Sequence, residues 1–468
     1  MSVDLSTTLS WRTATGDAAT MLDELQPNIL KAHVRDHLSA LFLYFGDAAE
    51  ARAFLVAVAG RMKSAKAHLE EVSAFKADGA AGTPYVGVGI TAAGYSALGI
   101  ENFPQDEAFL RGMKAPETRQ KLNDPPRSTF DPGHRDEIHA VVLVGDATDK
   151  STTARRNEIL GLLPDSASVY AEELGLGRVN ARGEGIEHFG YVDGRSQPLF
   201  LEEDFDDEKN GTDGVNVWDP RAPLEQVLVA DTAAPDPGVH FGSYLIFRKL
   251  EQNVRRFKQA EEDLADALGL TGDDRERAGA MIIGRFEDGT PLTLQREDGV
   301  ESPVPNNFTY GSDESATKCP FQAHIRKTNP RGFGGIEQPP QERLHLMARR
   351  GVTYGERPDD PDADVPPAER PSGGVGLLFM AFNSVLDNQF EFTQAAWANN
   401  PGFPVKDGVT PGLDPVIGQG ERQPSDYVTQ WGGSEHRTAG PVPQAVTLKG
   451  GDYFFAPSLA FLRSLVAE

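Results

Sequence analysis

Apolar residues along this chain gather into short, dense runs, each followed by a stretch in which they recur at three- and four-residue steps. Leu38–Phe45 (LSALFLYF) leads into 48–62, His139–Val144 (HAVVLV) into 153–163, Ser243–Phe247 (SYLIF) into 251–268, and Gly376–Phe382 (GLLFMAF) into 386–398. Runs this short, rich in Leu, Val, Phe and Tyr, predict buried strands. The stretches that follow predict amphipathic helices; Phe54, Val58 and Met62 fall on one face of the first. Two strand–helix units in each half predict two ferredoxin-like βαββαβ domains, an α+β fold with antiparallel sheets and peripheral helices. The turn-rich segments Asn210–Gly214 and Ala233–Gly238 suggest a boundary between them, giving residues 1–225 and 226–468. Pro401–Ser425, rich in Gly and Pro, predicts a long loop.

A chain of 468 residues suits about two domains, and 39 % hydrophobic with 25 % charged residues is a globular composition. The formal charge of −25, from 70 acidic and 45 basic residues, repels phosphate backbones and argues against a nucleic-acid partner. No apolar stretch is long enough to span a bilayer, and no signal peptide or twin-arginine pair is seen, so a cytoplasmic location without membrane attachment is expected. The single cysteine, Cys319, forbids an intrachain disulfide and any cysteine-rich metal site.

Candidate chemistry concentrates in three segments. His324 lies in KCPFQAHIRKTNPR, beside Ala323 and Ile325 and flanked by Arg326, Lys327 and Arg331. A histidine in such surroundings can ligate the iron of an apolar cofactor whose anionic tails pair with the cations, as haem's do, although a packed core histidine gives the same pattern. FGYVDGRSQP (189–198) brackets Asp193 with Gly190 and Gly194, which fits a tight turn. RRGVTYG (349–355) leads paired arginines into a glycine-bounded turn. His33 and His37, four apart, fit one helix face but lack a third ligand.

Together these segments resemble one family, the dye-decolourising peroxidases. Gly190–Gly194 reproduces the family's GxxDG motif, AHIRKTNPR resembles the segment bearing its proximal histidine, and RRGVTYG the segment bearing its distal arginine. LQPNILKAH (25–33), GLLFMAF, QFEFTQAAW ending at Trp397, PGLDPVIGQ (411–419) and GGDYFFAPS (450–458) extend the likeness in family order over nearly the whole chain. Length and insertions are most similar to the larger cytoplasmic-type subgroup.

The resemblance implies a haem peroxidase with haem b, held mainly by the C-terminal domain, which reduces H2O2 and oxidises dyes, phenols and other small reductants. His324 becomes the iron's protein ligand, with Asp414 as the acceptor on its other ring nitrogen or, equally, a turn-capping carboxylate. Asp193 and Arg349 become the catalytic pair on the opposite face, their relative weights open. Arg350 is the rival arginine, and Arg349 is preferred for its spacing to Tyr354–Gly355. Leu377 and Phe379, two apart on one strand, cover the haem and restrict access. Ile325, Arg326 and Arg331 are haem-contact or propionate candidates. Cys319 is the less favoured axial ligand. Bulky donors excluded from a narrow pocket imply oxidation at the haem edge or at an oxidisable side chain near the surface, with Trp397 and Tyr354 as candidates. The acidic run Glu202–Glu208 (EEDFDDE) offers carboxylates to Mn(II), against a plain solvated loop. Self-association is left open. The alternative functions are a haem carrier of the same fold without turnover, and a non-haem protein whose motifs match by chance.

Overall fold

The computed structural model describes residues 3–32, 36–357, 359, 363 and 365–465. His33 lies outside them, so the His33/His37 pair does too. Each apolar run is a strand, and each lies at the centre of its sheet. The first unit is β1 (His37–Phe45), α1 (Ala48–Ala59), β2 (Tyr85–Ile90), β3 (Ala140–Asp146), α2 (Asp149–Leu160) and β4 (Ala167–Leu176). The second is β5 (Phe241–Gln252), α3 (Val254–Leu268), β6 (Val352–Tyr354), β7 (Gly376–Asn383), two π-helical segments (Asp387–Glu391 and Thr393–Ala398) and β8 (Val446–Ala456). Strand order is β4-β1-β3-β2 in the first and β8-β5-β7-β6 in the second, all antiparallel. Both therefore have the strand order of the βαββαβ motif, joined edge to edge.

The joints are slender. β8 meets β2 through Phe455 and Ile90, and β4 meets β6 through Gly175 and Tyr354. With these two pairs the eight strands close into a ring. Closure buries both faces of the central strands, which is why their sequences read as continuous apolar runs rather than alternating ones. Leu38, Ala40 and Phe42 of β1 join Leu378, Met380 and Phe382 of β7 in one cluster. Leu41, Leu43 and Phe45 point the other way, into a second cluster with Phe54, Leu55 and Val58 of α1.

Several elements differ in detail from the sequence reading; α2, for instance, spans Asp149–Leu160 rather than 153–163. β5 runs through Glu251 to Gln252, and the helix begins only after Asn253, whose side chain accepts from Arg256 N at 2.9 Å. The stretch after β7 is helical as expected but π-wound, a winding often found beside functional sites. Among the described residues no helix is long and apolar enough to cross a membrane.

Candidate active site

On the outer face of the second unit, Leu377 pairs with Leu250 and Phe379 with Arg248 across β7 and β5. These four side chains floor a cavity of about 250 Å³ that is closed by the π-helical segments and by loops from both halves of the chain. The strand period of two explains the choice: Leu377 and Phe379 face the cavity while Leu378 and Met380 are buried in the ring.

His324 stands on one wall, at the start of a one-turn helix, His324–Thr328. Its Nδ1 is 2.8 Å from Oδ2 of Asp414, which is fully buried. A carboxylate only accepts, so Nδ1 carries a proton, and in the neutral ring Nε2 is then the nitrogen with the lone pair. The other Asp414 oxygen accepts from the backbone N–H groups of Val416 (2.8 Å) and Ile417 (2.9 Å). The carboxylate thus both orients the imidazole and caps a turn, so the two roles weighed from the sequence coexist. Burial pushes its pKa up, but the His324 ring and the two N–H groups outweigh burial and hold it below the usual carboxylate range.

Asp193 and Arg349 also line the cavity, both apart from the His324 helix: Asp193 on a loop and Arg349 in the short strand Ala348–Arg349, which pairs with Phe382 and Ala381 of β7. The Asp193 loop turns through Gly190 (φ 107°) and Gly194 (φ 80°), a region costly for other residues. Asp193 accepts from Gly194 N at 2.6 Å. The loop is held by Glu187, whose carboxylate accepts from Phe189 N (2.8 Å) and Tyr191 N (3.0 Å) and from the Gln252 amide. Arg349 donates from Nη2 to Arg195 O at 2.5 Å, and its backbone N–H bonds Gln197 Oε1. Arg350 points the opposite way, buried with its guanidinium on the carbonyls of Asn28 and Ile29. Of the two arginines, only Arg349 is at the cavity.

Two more guanidiniums, those of Arg285 and Arg331, reach the cavity together. Both donate to Ser196 Oγ and Asn306 Oδ1. Among the described residues neither has a carboxylate within ion-pair distance. Burial pulls Arg331 down to about 9 and Arg285 to about 10, with neighbouring arginines adding to the effect. Buried cations without a counter-charge are costly, and an anion seated beside them would relieve that cost. Arg285, Ser196 and Asn306 were missed in the sequence because no spacing links GRFEDG, GRSQP and VPNNF.

Other expectations need correction. Arg326 does not line the cavity: it sits two residues beyond His324, on the far side of the one-turn helix, where it bonds Asp313 Oδ2 (3.2 Å), Asp313 O and Cys319 O. Ile325 and Arg331 do line it. Cys319 is fully buried away from the cavity, and burial pushes its thiol up to about 12, which disfavours a thiolate. Trp397 (2 % exposed) and Tyr354 (7 % exposed) are interior residues, not surface ones. The acidic run is a helix, Glu202–Gly211, whose carboxylates are spread over separate partners: Glu203 on Ser10, Asp204 on Lys31, Asp207 on Lys76, Glu208 on Asn306. Among the described residues no group of three or more His, Cys, Asp or Glu is arranged to hold a metal ion.

A family model described as the DyP dimeric alpha+beta barrel domain matches residues 24–178. The multifunctional dye peroxidase DyP2 of Amycolatopsis sp. is 65 % identical over 467 residues, 99 % of this chain and 100 % of that protein. The chain belongs to the dye-decolourising peroxidase family. The solved structure of the Amycolatopsis protein superimposes with a TM-score of 0.97 at 64 % identity, over 99 % of this chain and 100 % of that one. A DyP-type peroxidase of Anabaena sp. follows at 0.91 and 38 %, over 99 % of each chain. A dye-decolorizing peroxidase of Auricularia auricula-judae is 32 % identical over 394 residues, 78 % of this chain and 72 % of that protein. Dye-decolourising peroxidases are haem enzymes that act on dyes with hydrogen peroxide, and this chain is an oxidoreductase of that kind.

Proposed function

We propose that this peroxidase holds haem b in the cavity described above, with His324 as the iron's protein ligand, and uses Asp193 and Arg349 to split hydrogen peroxide before oxidising dyes and phenols. One observation carries the reading: an imidazole whose far nitrogen is fixed by a buried carboxylate presents its lone pair to a cavity that also contains an acid and a guanidinium.

The residues present fit the cofactor. His324 Nε2 has no hydrogen-bond partner among the described residues and is the nitrogen left to ligate. Asp414 makes that ligand more electron-rich by accepting from Nδ1. Arg331 and Arg285 supply the cations that haem's propionates need, and Ser196 and Asn306 hold both in place. Leu377, Phe379 and Ile325 supply apolar surface. Most of these residues belong to the C-terminal half. When bound, haem supplies the iron at which the peroxide O–O bond is cleaved and the oxidising equivalents are kept.

The chain's own contribution is proton movement and charge stabilisation. Asp193 takes the proton from the inner peroxide oxygen and returns it to the outer one, which leaves as water. Arg349, anchored on a backbone carbonyl, points fixed donors at the charge that develops on the departing oxygen. An acid and a guanidinium placed together favour turnover over haem carriage, since a carrier has no use for either. With Trp397 and Tyr354 buried, donors too large for the cavity are oxidised at the haem edge.

The test is reconstitution of wild type and His324→Ala with haem, followed by absorption spectra, addition of peroxide and dye bleaching. Wild type is expected to show a Soret band and bleach dye; His324→Ala is expected to lose or misplace haem. A His324→Ala protein that binds haem and turns over like wild type overturns the axial assignment.

A further inference from the structure

Three residues beyond His324, on the same helical turn, Lys327 is completely buried. Its ammonium donates to three backbone carbonyls: Asn400 O at 2.8 Å, Phe403 O at 2.5 Å and Gly412 O at 2.7 Å. An ammonium has three N–H donors and no acceptor, so this set satisfies it completely. Among the described residues no carboxylate is within ion-pair distance of it.

The three carbonyls belong to one loop. It leaves the second π-helical segment at Ala398 and returns at Asp414. Asn400 and Phe403 lie on the outgoing arm and Gly412 on the returning arm, two residues before the carboxylate that holds His324. The arms are otherwise joined by few bonds: Gly412 N to Pro401 O and Asp414 N to Ala398 O, each 2.9 Å. Phe403 also stacks on Trp397, with ring centroids 5.2 Å apart. The loop is rich in Gly and Pro and has no regular structure to fix its shape.

We infer that Lys327 is a positioning residue: it staples the 399–413 loop closed from beneath and so sets the place of Asp414 under the His324 ring. A single turn of helix then carries both the ligand and the clamp for the ligand's hydrogen-bond partner, so imidazole and carboxylate are referenced to the same few backbone atoms. Burial lowers the Lys327 pKa to about 8 while Asp414 raises it, so the cation persists at neutral pH. An apolar side chain of the same length leaves three buried carbonyls without partners and releases the returning arm.

This inference rests on His324 being the iron's ligand. Its test compares wild type, Lys327→Met, Lys327→Arg, Asp414→Asn and His324→Ala at neutral pH. The readouts are the reduction potential of the haem iron, the rate of haem transfer to apomyoglobin, and hydrogen exchange at the Val416 and Ile417 amides. Lys327→Met is expected to behave as a partial Asp414→Asn: the potential rises, because the imidazole loses its acceptor, and haem leaves roughly 10-fold faster or more. Lys327→Arg, which keeps charge and donors, recovers part of both. An unchanged potential in Lys327→Met, with His324→Ala losing haem, overturns the inference and spares the axial assignment. A downward shift also overturns it, since the ammonium then acts by its field rather than by holding Asp414. His324→Ala with wild-type haem binding sinks the assignment beneath both. If Lys327→Met takes up no haem, the apoprotein decides. Lost protection at the Val416 and Ile417 amides with unchanged far-UV circular dichroism supports the staple; retained protection refutes it.

Discussion

The two sides of the cavity hold their charged groups in opposite ways. On the His324 side each polar group is bonded to another functional one: the imidazole to Asp414, and Asp414 in turn to two backbone N–H groups. On the other side, among the described residues, the Asp193 carboxylate bonds only to Gly194 N and the Arg349 guanidinium only to Arg195 O. Among the described residues no hydrogen bond or ion pair joins them to each other. A carboxylate whose two oxygens are both taken up by hydrogen-bond donors is committed to geometry. A charge held by a backbone dipole is aimed but not neutralised, and stays available to a reacting molecule. Under the proposed function, the contrast fits a His324 wall that supports a ligand and an Asp193–Arg349 wall that acts.

The sharpest way to break this contrast is to neutralise the acting wall. Asp193→Asn keeps the size and the bond from Gly194 but cannot carry the proton. Its peroxide reaction, followed by stopped-flow absorbance of the haem protein, is expected to slow by about 10²–10⁴-fold. Arg349→Leu removes fixed donors and should cost about 10²–10³-fold in the same measurement. Because the two act on one proton and one leaving oxygen, the double variant should lose less than the product of the two factors. Both variants should keep a wild-type Soret band. If either loses haem, that residue supports the cofactor and the two walls are not distinct in kind.

Asp414→Asn tests the supporting wall, with a smaller expected effect. The amide oxygen can still accept from Nδ1 but carries no charge, so haem affinity should fall by roughly 10–100-fold. The iron potential should rise, and the peroxide reaction should fall less than in Asp193→Asn. A larger loss of rate than of haem affinity would place Asp414 among the acting groups.

How much of this was legible in the sequence follows the same physical lines. The central strands β1, β3, β5 and β7 were readable because burial on both faces makes them continuous apolar runs. Their neighbours were not: β2 (YVGVGI) is diluted with glycine, β4 carries exposed residues at 168–170, and β6 is three residues long. Such strands exist by pairing, which a linear pattern does not display. The acidic run was read as a loop because it lacks an apolar stripe; it is helical because three acidic residues favour its first turn and partners on other segments hold its side chains. His324, Asp193 and Arg349, singled out through ordered motifs, do come to line one cavity. Arg326 was misplaced for want of helix geometry. Arg285, Ser196 and Asn306 come from three distant segments that only the closed fold brings together.

The smallest expected effect concerns the acting wall's own support, the loop that carries Asp193. Glu187 holds that loop from the cavity side, and desolvation pushes its pKa up to about 7 from an ordinary 4.5, against the pull of the Phe189 and Tyr191 N–H groups and Gln252. The acid is therefore neutral in both folded and unfolded chains below about pH 4.5. Between there and pH 7 the unfolded chain ionises more readily than the folded one, so stability present at low pH is lost as pH rises through the folded value. Glu187→Gln cannot ionise. Its single carbonyl oxygen also satisfies fewer of the donors around it, so at low pH it should be less stable than wild type by about 1 kcal/mol. As pH rises to 8 the wild-type protein should lose ground relative to the variant by an amount on the order of 1–3 kcal/mol. Glu261, also raised to about 7 by burial, keeps part of the slope in both proteins. Urea midpoints for the pair at pH 4.5, 6 and 8 measure the difference. If it does not change with pH, Glu187 ionises as readily in the folded chain as in the unfolded one, and the Asp193 loop is braced by a charged carboxylate rather than a neutral acid.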